Sequence, residues 1–276
     1  MSFQRINILG VEISVLNLNS AIQAITDACE NSAHLGYVTI TGVHGVMESQ
    51  SDEELKEIHN NSFLSTPDGM PMVWMGKYVY GRQNMDRVYG PELMNEIFRQ
   101  TEGSGIKHFF YGGADGVAEE LKACLLRRYP KSEIVGTYTP PFRQLNDQEE
   151  QNLVTELQQA QPHLIWVGLS TPKQERFMHA FLAKYPTLNQ TWNHGSTLLG
   201  VGAAFDLLSY QVQQAPYWIQ RSGFEWLYRT CKEPKRLLKR YVVSNFGFTW
   251  KIIKQLFCRW IYISGNEFYV KNREYL

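Results

Sequence analysis

Residues 65–94, STPDGMPMVWMGKYVYGRQNMDRVYGPELM, bring an acid, a base and four glycines to what reads as the open edge of an α/β fold. Phe63 and Leu64 read as the end of a short buried strand, and Thr66, Pro67, Asp68 and Gly69 then force a turn before an apolar run at 70–74. Such a turn sets Asp68 at the C-terminal edge of a strand, where open α/β sheets bind their ligands. Two roles stand open for Asp68 on local grounds: a carboxylate that serves chemistry, or a residue that fills a Pro-Asp-Gly turn.

Outward from this stretch, strand and helix signals alternate. On its N-terminal side, residues 6–15 read as a bent strand or small hairpin, and 18–29 as a helix capped by Asn19 or Ser20. A β-branched strand follows at 37–41, a helix-like segment at 43–47 and a polar helix at 52–60 behind Ser51. On the C-terminal side, 91–101 is a helix with proline in its first turn, and 106–111 is a strand that runs through Gly112, Gly113 and Gly116 into a helix ending near 129. A strand at 134–136, a helix at 147–160 with an Asn146/Glu149 capping box, and a strand at 163–167 come next. The loop GLSTPKQE then opens a helix at 174–185, and residues 191–194 and 200–205 supply the last core strand and a tight, glycine-rich approach. Repeated β-α units predict an α/β fold with a Rossmann-like, mostly parallel sheet. The turn at Gly112 and Gly113 suits either a backbone cradle for phosphate or a tight turn alone, because the full dinucleotide fingerprint is missing.

With 276 residues, 43% hydrophobic and 13% aromatic, the chain is long and apolar enough for a substantial core, which excludes disordered and collagen-like classes. The four cysteines are scattered without metal-ligand spacing, so neither a disulfide framework nor a metal site is expected, and a reducing cytoplasm fits. No signal peptide and no membrane-spanning run is expected. The net charge of zero is unevenly spread: residues 1–220 hold 15 basic against 23 acidic side chains, and 221–259 hold 10 against 2. In that basic tail, cations alternate with tryptophan, tyrosine, phenylalanine and aliphatic residues. Anionic lipid, nucleic acid and an amphipathic helix packed on its own core all remain open as explanations. The aliphatic and tryptophan density, without a nucleic-acid-binding motif, favours a membrane surface over nucleic acid.

The ordered blocks PDG (67–69), DRVYGPEL (86–93), FFYGGADGVA (109–118), VGLSTPKQE (167–175), GVGAAFD (200–206) and IQRSGFEWLYR followed by EPKRLLKRY resemble the WecG/TagA/CpsF family of bacterial glycosyltransferases, glycosyltransferase family 26. The resemblance implies an inverting, metal-independent, cofactor-free enzyme of GT-E type. Such an enzyme moves a hexose or N-acetylhexosamine from a UDP-sugar donor to a polyprenyl-diphosphate-linked acceptor for cell-surface polysaccharide. It implies catalytic roles for Asp68, as base, and Arg87. It implies substrate contacts from Thr39, Thr41, Gly69, Gly112, Gly113 and Gln174, and from Arg221, Arg229 and Arg236, for each of which a solvated or lipid-facing charge stands as the other reading. It further implies a catalytic core at 1–210 and, at 211–276, an appendage that closes over the site on the inner face of the cytoplasmic membrane. No Asp-x-Asp pair is present, so arginines are expected to hold the departing diphosphate. Members that transfer N-acetylmannosamine carry Thr-x-Asn where this chain has Thr39-Ile40-Thr41, which leaves glucose or another hexose open as donor. His44 reads as a second base or as a buried structural histidine.

Overall fold

The computed structural model describes residues 3–209, 215–232 and 234–264; side chains at 235–237, at 239–240 and from 258 onward lie outside this description. Six strands form one sheet: β3 (Leu35–Thr41), β4 (Leu64–Pro67), β5 (Lys107–Gly112), β6 (Glu133–Tyr138), β7 (Leu164–Gly168) and β8 (Ser196–Gly200). Their order is β4-β3-β8-β7-β5-β6, and every adjacent pair runs parallel. A parallel sheet needs cover on both faces, and the near-continuous apolar strands supply the reason. One face packs against α1 (Leu18–Glu30), α5 (Gly90–Thr101), α6 (Val117–Arg128) and α9 (Ala204–Leu208), around Phe98, Phe110, Trp166 and Phe205. The other packs against α3 (Glu53–Asn60), α7 (Asp147–Ala160) and α8 (Lys173–Lys184), around Phe109, Val167, Met178 and Phe181.

The chain leaves β5 toward α6 on one face and β7 toward α8 on the other. It likewise leaves β3 toward α3 and β8 toward α9. Diverging exits of this kind open a crevice at the C-terminal ends of the strands.

An antiparallel hairpin, β1 (Arg5–Ile8) and β2 (Val11–Ser14), lies beside the edge strand β4. Ser14 Oγ accepts from the Ser65 N–H at 3.1 Å, and the Arg5 guanidinium donates to Asn60 O and Phe63 O, so the exposed edge is partly occupied. The hairpin shares a third apolar cluster with α2 (Val43–Glu48), α4 (Met70–Trp74) and the π-helical turn Met75–Val79. The C-terminal residues form α10 (Tyr217–Arg221), α11 (Glu225–Lys232) and the long α12 (Pro234–Ser264). Phe248 and Ile252 of α12 enter the third cluster, and Gln255 accepts from the Leu9 N–H at 3.2 Å.

Three local expectations shift. The last core strand is Ser196–Gly200, between the two segments expected; its leading hydroxyls are satisfied inside, Ser196 Oγ on Pro162 O and Thr197 Oγ1 on His34. The cap of α1 is Asn17, in a capping box with Ser20, and the cap of α3 is Asp52 rather than Ser51. The Asn146/Glu149 box on α7 is present as expected.

Candidate active site

Asp68 stands one residue beyond β4, where its N–H donates to Thr41 O at 3.0 Å and so ties the ends of β3 and β4 together. Gly69 follows at φ 85°, a backbone conformation that glycine adopts without strain, and opens α4. The carboxylate leans on Gly42: a Cβ built there would stand 3.4 Å from Asp68 Oδ2 and 3.1 Å from Asp68 O. Its side chain keeps 32% of its surface open. The walls around it nevertheless enclose the carboxyl enough that burial pushes its pKa up to about 6, with Arg87 and Arg229 pulling it down and Glu225 adding to the rise. An acid so placed is reachable, half-protonated near pH 6 and mostly ionised at neutral pH, which suits a general base.

Arg87 sits on the loop between α4 and α5, fixed where the Val88 N–H donates to Pro67 O at 2.9 Å. Its guanidinium lies 4.2 Å from the centroid of the Tyr89 ring, and its Nε is 3.9 Å from Asp68 Oδ1. The far side is covered by the C-terminal helices: NH1 donates to Gln220 Oε1 at 3.2 Å, and NH2 is ion-paired to Glu225. Arg221, on α10, forms a two-oxygen pair with Asp86 at 2.9 and 3.0 Å. Arg229, on α11, feels Tyr89, Glu225 and Asp68 electrostatically and makes no hydrogen bond or ion pair within 4.0 Å among the described residues. Arg236 belongs to α12, with its side chain outside the described residues. Asp68, Arg87, Arg221 and Arg229 are therefore drawn from two ends of the chain to one place.

The remaining expected contacts are placed differently. Thr39 and Thr41 are fully buried, because β3 is an interior strand covered on both faces. Their hydroxyls bond each other at 3.0 Å, and Thr41 Oγ1 also meets Ser65 Oγ at 2.9 Å and His59 Nδ1 at 3.1 Å. In this arrangement the Thr41 hydroxyl ties the ends of β3 and β4 together beneath Asp68. Gln174 is also buried, with Nε2 donating to Gly200 O at 3.1 Å and to Glu175 Oε1 at 3.0 Å. It underlies the crevice floor. The Gly113 N–H donates to Gly168 O at 3.0 Å, which ties the glycine turn to the neighbouring strand. His44, on α2, lies 3.7 Å from Glu48.

Beside Arg87, an open polar cavity of about 370 Å³ is lined by residues that include Asn17, Lys77, Asn84, Asp86, Glu92 and Arg221. It lies next to Asp68 without including it. Sequence reading missed Glu225 and Gln220, the groups that grip Arg87; their only trace was their presence in the IQRSGFEWLYR block.

A reachable, raised carboxylate with arginines converging on it at the open edge of a parallel sheet is equipped to remove a proton and to steady an anion. The family model described as "Glycosyl transferase WecG/TagA/CpsF family" matches residues 6–261. Two relatives, from Bacillus subtilis (strain 168) and Bacillus spizizenii (strain ATCC 23059 / NRRL B-14472 / W23), are 25% and 26% identical over 199 residues, 72% of each chain. Both are named N-acetylglucosaminyldiphosphoundecaprenol N-acetyl-beta-D-mannosaminyltransferase. With the family's model covering nearly the whole chain and the parallel sheet presenting these residues at one edge, the chain belongs to the WecG/TagA/CpsF family of glycosyl transferases.

Proposed function

We propose that this glycosyltransferase moves a hexosyl or N-acetylhexosaminyl group from a UDP-sugar to the sugar of a polyprenyl-diphosphate-linked acceptor, with inversion at the anomeric carbon. The observation that carries the reading is Asp68, an accessible carboxyl at the open sheet edge with its pKa pushed up to about 6. It takes the proton of an acceptor hydroxyl as that oxygen bonds to the anomeric carbon; the bond from that carbon to the diphosphate oxygen breaks on the opposite face, and UDP departs with the electron pair. Arg229, which makes no hydrogen bond or ion pair among the described residues, is the cation best placed to meet the departing charge without a metal.

The names of the relatives put UDP-N-acetylmannosamine first among donors, and Thr41 in place of asparagine keeps UDP-glucose second.

The reading includes a division of labour: 1–210 as the catalytic core, and 211–276 as an appendage that completes the site at the inner face of the cytoplasmic membrane. No helix among the described residues is long and apolar enough to cross a membrane. Yet Leu238, Val242, Phe246, Trp250, Ile253 and Phe257 of α12 are exposed, together with Tyr217, Trp218, Phe224 and Leu227 of α10, α11 and their link. An apolar row that wide, flanked by cations, suits anionic lipid.

UDP release tests the reading, from a panel of UDP-hexoses and UDP-N-acetylhexosamines, with polyprenyl-diphosphate sugars as acceptors and chelator present. One donor should give acceptor-dependent release that survives chelation and fails in Asp68→Asn. Full turnover by that variant would return Asp68 to the role of turn residue.

A further inference from the structure

We propose that Glu225 is a positioning residue for the transfer reaction: together with Gln220 it occupies both terminal nitrogens of Arg87, so that the arginine addresses Asp68 through Nε alone. The inference rests on the reading of Asp68 as the base. It reassigns Arg87 from gripping the diphosphate to orienting the carboxylate.

The geometry leaves the guanidinium little freedom. Tyr89 lies under its plane, with the centroid 4.2 Å away. The Gln220 amide is itself pinned, because its Nε2 donates to Ala215 O at 2.7 Å while its Oε1 accepts from Arg87 NH1. Glu225 pairs with NH2, and the two side chains retain 15% and 3% of their surface. Arg87 Nε is buried and has no hydrogen-bond partner, although Asp68 Oδ1 is only 3.9 Å away. A buried N–H left unpaired is costly, so this donor is poised for the carboxylate or for a group brought between them. Planar guanidinium geometry makes the constraint stringent: once both terminal nitrogens are held, the direction of Nε is set.

The charges around Asp68 alternate. Arg87 comes from the α4–α5 loop, Glu225 and Arg229 from α11, and Tyr89 from the start of α5. Glu225 offsets Arg87 and raises the Asp68 pKa. Without it, two arginines would hold Asp68 ionised and weaken it as a base. The residue thus belongs to the appendage but acts on the core, and a site whose Arg87 lacks Glu225 has its base misaimed and underpowered.

The test compares the full-length wild type with Glu225→Gln, Glu225→Asp and Asp68→Asn on anionic vesicles. It follows kcat/KM for UDP release from about pH 5 to about pH 8, and UDP affinity by calorimetry. Glu225→Gln should lower kcat about 10- to 100-fold, move the acid limb of the profile down by about half a unit or more, and leave the UDP Kd within about threefold. Glu225→Asp keeps the charge but not the reach. It should retain the wild-type acid limb while losing kcat, and it serves if the Gln variant does not fold. An acid limb unmoved in a folded Gln variant overturns the inference. So does UDP binding that tightens about tenfold or more, which would make Glu225 an occupant of the diphosphate position instead. Robust turnover by Asp68→Asn would sink the underlying reading of the base, a result distinct from either.

Discussion

Two loops leave the same edge of the sheet with the same outward pattern, a strand, a glycine and a helix, and they put their glycines to opposite uses. After β4, Gly69 at φ 85° turns the chain away and leaves Asp68 with a third of its side chain open. After β5, Gly112 at φ 118° lets two strands crowd together, since a Cβ there would stand 2.7 Å from Gly168 O. The first turn of α6 behind it carries Glu119 and Glu120, which an anion would not favour. A glycine-rich turn reports a close approach. Whether the approach is to a ligand or to a neighbouring strand depends on which N–H groups remain free, and at Gly113 the N–H is already taken.

The sharpest way to break this contrast is to change one residue in each loop. Asp68→Asn removes the base and should cut acceptor-dependent UDP release by about 10²- to 10⁴-fold with the fold intact by circular dichroism. Gly112→Ala should do the reverse. It combines a positive φ with a backbone overlap and should cost about 2–4 kcal/mol in denaturant unfolding, while the folded fraction keeps its UDP affinity within a few-fold. Loss of UDP binding in folded Gly112→Ala would make the β5 turn a phosphate cradle after all.

A second contrast of the same kind runs along α12. Phe248 is 7% exposed and packs with the hairpin, whereas Phe246 and Trp250 are 73% and 71% exposed. A helix packed only on its own core would need one apolar face; this one has two. Phe248→Ala should lose about 2–4 kcal/mol of stability, somewhat below the usual cost for a central phenylalanine because it lies at the edge of its cluster. The double change Phe246→Ala with Trp250→Ala should leave the thermal midpoint nearly unchanged, yet weaken binding to anionic vesicles by tenfold or more, from about 2 kcal/mol of lost apolar burial per ring. Equal vesicle binding by both proteins would remove lipid as the partner of the exposed row.

Much of the frame was legible because its signals are local. Period-2 and period-3.6 patterns, the Asn146/Glu149 box and the Pro-Asp-Gly turn each report on a few neighbouring residues. The polar interior was not legible. Thr39, Thr41 and Gln174 look like surface chemistry in the sequence, but an interior parallel strand buries both of its faces, where the two threonine hydroxyls bond each other, and the buried Gln174 amide donates to Gly200 O and Glu175 Oε1. His59 is the extreme case: it ends a polar helix, yet is fully buried with its pKa pushed down to about 4 by that burial. Least legible was the grip on Arg87, since Gln220 and Glu225 stand 133 and 138 residues away in the chain. No spacing rule spans such a gap; only the folded appendage reveals the contact.

The smallest effect expected is also the one that separates a functional acid from a structural one. Burial pushes the folded-state pKa of Asp68 up to about 6 from its ordinary 3.8. Between about pH 4 and pH 6 the folded chain therefore keeps a proton that the unfolded chain has released, and stability falls as pH rises through that window. Above it the ionised carboxylate is a standing cost. Asp68→Asn removes the titration, so the variant should match the wild type near pH 4 and exceed it near pH 7.5 by on the order of 1 kcal/mol in denaturant unfolding. Turnover by the wild type should rise across the same interval in which its stability declines, because one deprotonation drives both. A turn residue would behave differently: its carboxylate would be stabilised by the fold, and the Asn variant would be the less stable protein at neutral pH.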